Sequence, residues 1–510
     1  MNNKFLIFSL FTVFATSMHS EKISKVKKSK SVKKSTVYDS LKRSLEHGYK
    51  RSSEIREKES SLEATNNDVS IATSGWRPII QGTASHNVQS QIINGDQKRN
   101  NLGASARSNS KRNRAGITVQ QNIFQGGETV AATNTAEANV QAARYDLINT
   151  EQNILFQVIQ VYLDLWKKTS QEKLLNSDKN ALLETLNAAR EKFDLGAETR
   201  TNVAEAEKKY ATGLSELERV RVEIVQLRAT YNRLTGLGEI SIVKPREISS
   251  YVPEVSEITD EKNMDIAIKK LTEYVKKNNP SIYKSRAEMD SARFSIDRAR
   301  SAYLPKIDLS ASASHSTTRE KGRRYDPRRI NFNSSRNRQA AYEGGVTVTV
   351  PLYNQGRTGA ESRKARKILE LRRVSLRTST EKAVELAIQS WKNFVSGLVI
   401  IENVKKEVRA SEVALEGARE EMNVGSKILL DVLQAQRDLL SAKLRLVEAR
   451  SSYYLSGFRM LNAMGLLTSR NLNLNVKHYD PSVHYNDVRN RWAIPEGSQK
   501  TSSYNDNVLK

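Results

Sequence analysis

The sequence has no cysteine among its 510 residues, which excludes disulfides, a thiolate metal site and a lipid-modified N-terminal cysteine. Proline is scarce, and none falls between Pro78 and Pro245 or between Pro351 and Pro481, so two long segments are free to be helical. No stretch reaches the ~18 consecutive apolar residues that a membrane-crossing helix needs. Apolar residues are only 38% of the chain and the mean hydropathy is −0.59, too little for a thick core, so thin walls suit this composition better than compact domains. The six histidines are scattered, and no nucleophile, base or metal constellation gathers along the chain. No catalytic residue, metal or cofactor is therefore expected.

Positive charge is abundant. With 82 Lys and Arg against 57 Asp and Glu, the formal net charge is +25, which favours phosphate-bearing partners, either nucleic acid or a lipid surface. The N-terminus favours the second. Lys4 precedes an apolar run from Phe5 to Ala15 and then small and polar residues to Ser20, the pattern of a secretory signal peptide over residues 1–20. A basic, serine-rich segment follows at 21–36. If this exported chain meets a bilayer, it must do so with strands.

The remainder is duplicated. Leu186, Ala189, Arg190, Glu191 and Gly196 recur 229 residues later as Leu415, Ala418, Arg419, Glu420 and Gly425; Val203 and Ala206 recur as Val432 and Ala435; Gly116, Thr118, Val119 and Gly127 recur as Gly345, Thr347, Val348 and Gly356. Such self-similarity sets architecture before local propensity does. The expected organisation is a first repeat at 37–236, a linker at 237–279, a second repeat at 280–466 and a polar tail at 467–510 without usable periodicity. Helix is expected from Val37 to about Ser74, ended by Trp76-Arg77-Pro78.

Each repeat contains a period-two alternation. Ile117, Val119 and Ile123 alternate with Thr118, Gln120 and Asn122; Ile307, Leu309, Ala311 and Ala313 alternate with Asp308, Ser310, Ser312 and Ser314; Val346, Val348 and Val350 alternate with Thr347 and Thr349. This predicts strand hairpins at 78–124 and 306–353, with strands near ten residues, the length that crosses a tilted bilayer. Four strands cannot close a barrel, and open edges in lipid leave amides unpaired. The barrel must be shared between subunits.

The helical segments are equally patterned. Neither glycine nor proline occurs between Gly127 and Gly196. As helix, that interval would span roughly 100 Å. Beyond Gly196, Val203, Tyr210, Leu217, Ile224 and Tyr231 recur every seventh residue, as do Ala206, Gly213, Val220, Leu227 and Leu234. The second repeat has Val432, Leu439, Leu446, Tyr453 and Met460, a row of small residues from Ala435 to Ala463, and a further row through Leu433, Leu440, Val447, Tyr454 and Leu461. A strict heptad with a widened stripe predicts supercoiled helices that touch neighbours on two sides. The fold class expected is a membrane β-barrel continued by a long α-helical coiled-coil barrel.

Two motifs, Leu195-Gly196-Ala197 with Asn202-Val203 and Val424-Gly425-Ser426 with Asp431-Val432-Leu433-Gln434-Ala435, each follow a strand hairpin and a long helix. With them the chain resembles the TolC-like outer-membrane efflux proteins from about residue 37 to 466. The resemblance implies a homotrimer sharing a twelve-stranded barrel in the bacterial outer membrane, a helical duct crossing the periplasm, a periplasmic adaptor docked at the tips around Leu195, Gly196, Ala197, Val424, Gly425 and Ser426, and an inner-membrane transporter that drives export. It implies no catalysis and no nucleic acid. It also places Asp431 and Gln434 at the lumen of the narrow end. The sequence departs from the family pattern where Gln434 is neutral, Asn202 replaces an aspartate, Met422 replaces a tyrosine, and Lys427 keeps the charge of an arginine without its fork geometry. A weaker closed-state lock and a single ring of Asp431 carboxylates attracting cations are expected. Basic residues at the hairpin ends, Lys98, Arg99, Arg107, Lys111 and Arg112 in the first and Arg319, Lys321, Arg323, Arg324, Arg328, Arg329, Arg336 and Arg338 in the second, are expected in outer loops, facing outer-membrane lipid phosphates, acidic surface polymers or solvent alone. The charge and heptads also fit a different class, a basic coiled-coil protein serving adhesion or nucleic-acid binding, which a cytoplasmic location would favour.

Overall fold

The computed structural model describes residues 40–93, 105–238, 242–246, 263–326, 329–489 and 491, all within one compact unit, Asp39–Lys510. The signal peptide, the basic segment 21–36, Lys98, Arg99, Arg328 and, within the linker 237–279, residues 239–241 and 247–262 lie outside the described residues.

The segment expected as one helix from Val37 to Ser74 is two, α1 (Ser40–Arg51) and α2 (Ser53–Thr73). Ser52 separates them: its backbone is extended and its hydroxyl accepts the Ile55 N–H at 3.3 Å, an N-cap that restarts the helix. Arg77, before Pro78, is extended (φ −102°, ψ 150°) and leads into β1 (Ile79–Ile93). The chain continues through β2 (Ser105–Gln125), α3 (Glu128–Asp194), α4 (Arg200–Thr235), α5 (Met264–Asn278), α6 (Pro280–Ser301), β3 (Lys306–Asp326), β4 (Arg329–Thr349), α7 (Arg357–Asn423), α8 (Leu429–Ala463) and α9 (Pro481–Arg489). Helices α3 and α7 are each 67 residues. Each would extend about 100 Å. Glycines with left-handed φ stand at the start of α3 (Gly127), after it (Gly196) and after α4 (Gly236), and likewise at Gly356, Gly425 and Gly465 around α7 and α8.

The four strands form one antiparallel sheet in the order β1-β2-β3-β4. They run longer than the expected ten residues, 15 in β1 and 21 in each of the others. Of the basic residues expected in loops, Arg107, Lys111 and Arg112 lie in β2, Arg319, Lys321, Arg323 and Arg324 in β3, and Arg329, Arg336 and Arg338 in β4. Side-chain polarity does not end a strand whose backbone is still paired; alternation marks only the part of the ladder with one apolar face.

Register separates the two faces. One carries the rows Ile307–Val348, Leu309–Val346, Ile80–Val119–Ala311–Gly344, Gly82–Ile117–Ala313–Tyr342 and Ala84–Ala115–His315–Ala340. The other carries Gln81–Thr118–Ser312–Glu343 and Ser85–Arg114–Ser316–Gln339. The apolar side is exposed in the single chain, Tyr342 at 82%.

The helices pack in open rows of four. Beside the sheet the neighbours run α2–α3–α6–α7; toward the Gly196 and Gly425 turns they run α4–α3–α8–α7. The thickest core lies mid-helix, where Leu41 and Leu45 of α1, Leu271 of α5, and Leu467 and Leu472 after α8 gather around Tyr162 of α3, Trp391 of α7 and Phe458 of α8. Asn279 fastens this region. Its side chain caps α6 at Ser281 N–H (2.9 Å) and donates to the Ala463 carbonyl (2.8 Å). The polar tail, which has no usable periodicity, contributes α9, which packs on α2, with Tyr485 against the Leu62–Val69–Val140 cluster and Arg489 paired with Glu137 at 2.8 Å.

Candidate functional site at the two helical tips

Both long helices end in the same turn. Leu195 and Val424 are the last near-helical residues, their N–H groups returning to Glu191 and Glu420, and Gly196 and Gly425 follow at φ +72° and +81°. A β-carbon at either glycine would meet nothing within 4 Å, so only the backbone conformation demands glycine there. Thr199 then caps α4 by accepting the Asn202 N–H (3.3 Å), and Asp431 caps α8 by accepting the Ile428 N–H (3.2 Å). The local sequences, small and capping residues after an uninterrupted helix, account for both reversals.

The two turns stand together. Leu182, Leu186 and Ala189 of α3 and Ala206 of α4 form one buried cluster with Leu429 and Leu433 of α8, and Met422 of α7 packs against it. A second cluster joins Leu415 and Ala418 of α7 to Val432 of α8, again with Met422 alongside. Met422 thus fills an apolar gap between both hairpins, as a flexible thioether does well. Among the other residues singled out in sequence, Lys427 pairs with Glu421 at 3.0 Å within its own turn, Gln434 donates to Asp438 at 3.1 Å along α8, and Asn202 donates its side-chain amide to Glu198. Asp431 and Gln434 are both exposed.

Beyond the glycines the surface is apolar. Leu195 is 84% exposed and Val424 78%, with Phe193, Ile428 and Leu430 also open. Sequence reasoning picked Leu195 and Val424 for their places beside the glycines and missed the other three, whose signal is a large apolar residue within three to five positions of a tip glycine. It also missed a part-buried polar pair behind the tips, where buried Gln436 of α8 donates to half-buried Asp178 of α3 at 2.9 Å. Burial pushes the Asp178 carboxyl above the usual carboxylate range, partly offset by Gln436 and reinforced by Glu216. Among the described residues no group of His, Asp and Glu could hold a metal ion.

The chain matches known proteins over most of its length. It is 27% identical over 462 residues to the outer membrane efflux protein BepC of Brucella suis, covering 90% of this chain and 93% of that one. It is 22% identical over 376 residues to the outer membrane protein TolC of Escherichia coli, 71% of each, and 24% identical over 306 residues to the proteases secretion protein PrtF of Dickeya chrysanthemi, 59% of this chain and 62% of that one. The fold superposes on the CmeC outer membrane channel of Campylobacter jejuni with a TM-score of 0.69 at 16% identity, covering 88% of this chain and 89% of that one, and on VceC of Vibrio cholerae with 0.65 at 16%, covering 84% and 96%. The family model described as outer membrane efflux protein matches residues 48–237 and 271–466, one span in each half of the chain. With strands carrying one apolar and one polar face, and paired helical hairpins ending in matched turns, the chain belongs to the outer membrane efflux protein family.

Proposed function

We propose that three copies of this chain form an exit duct for a tripartite efflux pump or type I secretion system, with the sheets closing a twelve-stranded barrel and the helices continuing it through the periplasm. The observation that carries this reading is the open row. Among the described residues the outer edges of β1 and β4 have no strand partner, and the helical row ends in α4 and α7, which expose Val222 and Val225 on one side and Leu371, Val374 and Leu398 on the other. Neighbouring copies would pair these edges and cover these faces. The 229-residue spacing of the left-handed glycines supports an internal duplication as the origin of the two hairpins.

In this reading the polar sheet face lines the lumen and the tips are the periplasmic entrance. A periplasmic adaptor, itself linked to an inner-membrane transporter, docks on the exposed apolar residues at Leu195 and Val424. Asp431 forms a ring of three carboxylates at the entrance, flanked by neutral Gln434. The departures at Met422, Lys427 and Asn202 leave the closed entrance held by apolar packing and short-range polar contacts, so it opens more readily than one locked by an acidic or tyrosine network. The absolute mass of the detergent-extracted outer-membrane protein tests assembly. A particle of three chains is expected, and a monomer or dimer would overturn the shared barrel.

A further inference from the structure

Above the apolar band, the same face of the sheet becomes basic. The row after His315 brings in Arg338, the next aligns Lys111, Arg319 and Arg336 side by side on β2, β3 and β4, and two rows further Arg323 lies over the Phe332 ring at 5.3 Å. The sheet positions of Asp308, Glu320, Asp326 and Glu343 all fall on the opposite face by the same register, so among the described residues no strand carboxylate shares the face of this row. Like charges directly opposite one another across strands repel. A multivalent anion resting on the row relieves that repulsion.

Position selects the anion. From Ile307 to His315 the apolar band runs eight residues along β3. That is about 27 Å along the strand and ~20 Å in height at the usual tilt. Arg319 lies four residues beyond His315. That is roughly 10 Å above the band, the depth of lipid headgroups. The helices join the strands at the other end of the sheet, so the row stands toward the hairpin ends Ile93 and Asp326. We infer that Lys111, Arg319 and Arg336 form a binding row for the phosphates of a phosphorylated glycolipid in the outer leaflet. This rests on the proposed barrel, in which the apolar face meets lipid.

The test uses full-length protein in detergent and diphosphorylated lipid A as the probe. The triple variant Lys111→Gln, Arg319→Gln and Arg336→Gln is expected to bind it on the order of a hundredfold more weakly, near the loss anticipated for three interfacial cations. Neutralising Arg112 and Arg114 on the polar face should leave binding within about twofold. Equal binding by wild type and triple variant would overturn the proposal, as would undiminished binding of the dephosphorylated lipid. Competition by millimolar inorganic phosphate would reassign the row to a free anion and overturn its lipid identity. Greater loss from the Arg112 and Arg114 variant would show that the faces are reversed. Conductance of the triple variant in phosphatidylcholine bilayers separates failure of this inference from failure of the channel reading, because a duct conducts with or without the glycolipid.

Discussion

In the proposed duct, Asp431 would serve local structure and permeation together. Its carboxylate caps α8 through the Ile428 N–H, a role that any helix N-terminus rewards. In Asp431→Asn the cap persists, because an amide oxygen accepts the same bond, while the charge is lost. The reconstituted pore is expected to lose cation selectivity and divalent block with little change in thermal stability; unchanged selectivity would remove Asp431 from the entrance. Gly465 offers the opposite case, a purely structural demand. It has φ +81°, and a β-carbon there would sit 2.5 Å from the Asn278 carbonyl oxygen. Gly465→Ala combines a strained backbone with a clash and should cost roughly 1–3 kcal/mol, read as a lowered Tm. By contrast Gly425→Ala carries only the backbone strain, since the space around it is empty, and should cost about 1 kcal/mol.

Two carboxylates tie elements together with opposite pH signatures. Asp146 of α3 is paired with Lys58 of α2 at 2.8 Å and Lys284 of α6 at 2.7 Å. Burial acts to raise its pKa, but the hydrogen bonds and charges of Lys284 and Lys58 outweigh it and hold the carboxyl below its ordinary value. A lowered folded pKa means that the stabilisation is present above the unfolded value near 4 and is lost as pH falls through the folded one. Asp146→Asn is therefore expected to lower Tm at pH 7, by an amount that vanishes in acid. Asp178 behaves in reverse, because burial, the largest influence, holds its pKa up, so ionisation opposes folding as pH rises past 4. Asp178→Asn should raise Tm at pH 7 and leave it unchanged below pH 4. Thermal scans of both variants across pH 3 to 7 check the two signs at once.

How much of each element could be read from sequence follows the same physics. Heptad positions such as Leu217, Ile224 and Tyr231 are buried because a periodic apolar stripe has one favourable partner, a neighbouring helix. The tips were legible because glycine is needed where φ is positive. Strand ends were not, since Arg319 and Arg323 extend the ladder through backbone pairing that leaves no mark on side-chain polarity. Nor was the Ser52 break, where one hydroxyl decides between a continuous helix and two, nor α9, whose few anchoring residues act only once α2 is in place.

At the scale of the whole molecule, the chain exposes apolar strand residues and apolar helix edges that a stable monomer would not tolerate. Double substitution of Leu195→Asp and Val424→Asp is expected to abolish export while leaving the detergent-extracted mass at three chains, because these side chains contact neither core nor edge. Loss of assembly together with export would move them from docking surface to structural contact.

The open rows also carry a genetic consequence. If no copy can stand without its neighbours, every duct samples whatever alleles the cell expresses. When an assembly-competent, tip-defective chain is made in equal amount with the normal one, only about one duct in eight is built wholly from normal subunits. A lesion at Leu195 or Val424 would then behave as dominant, whereas one that prevents folding, such as a disruption around Gly465, would behave as recessive.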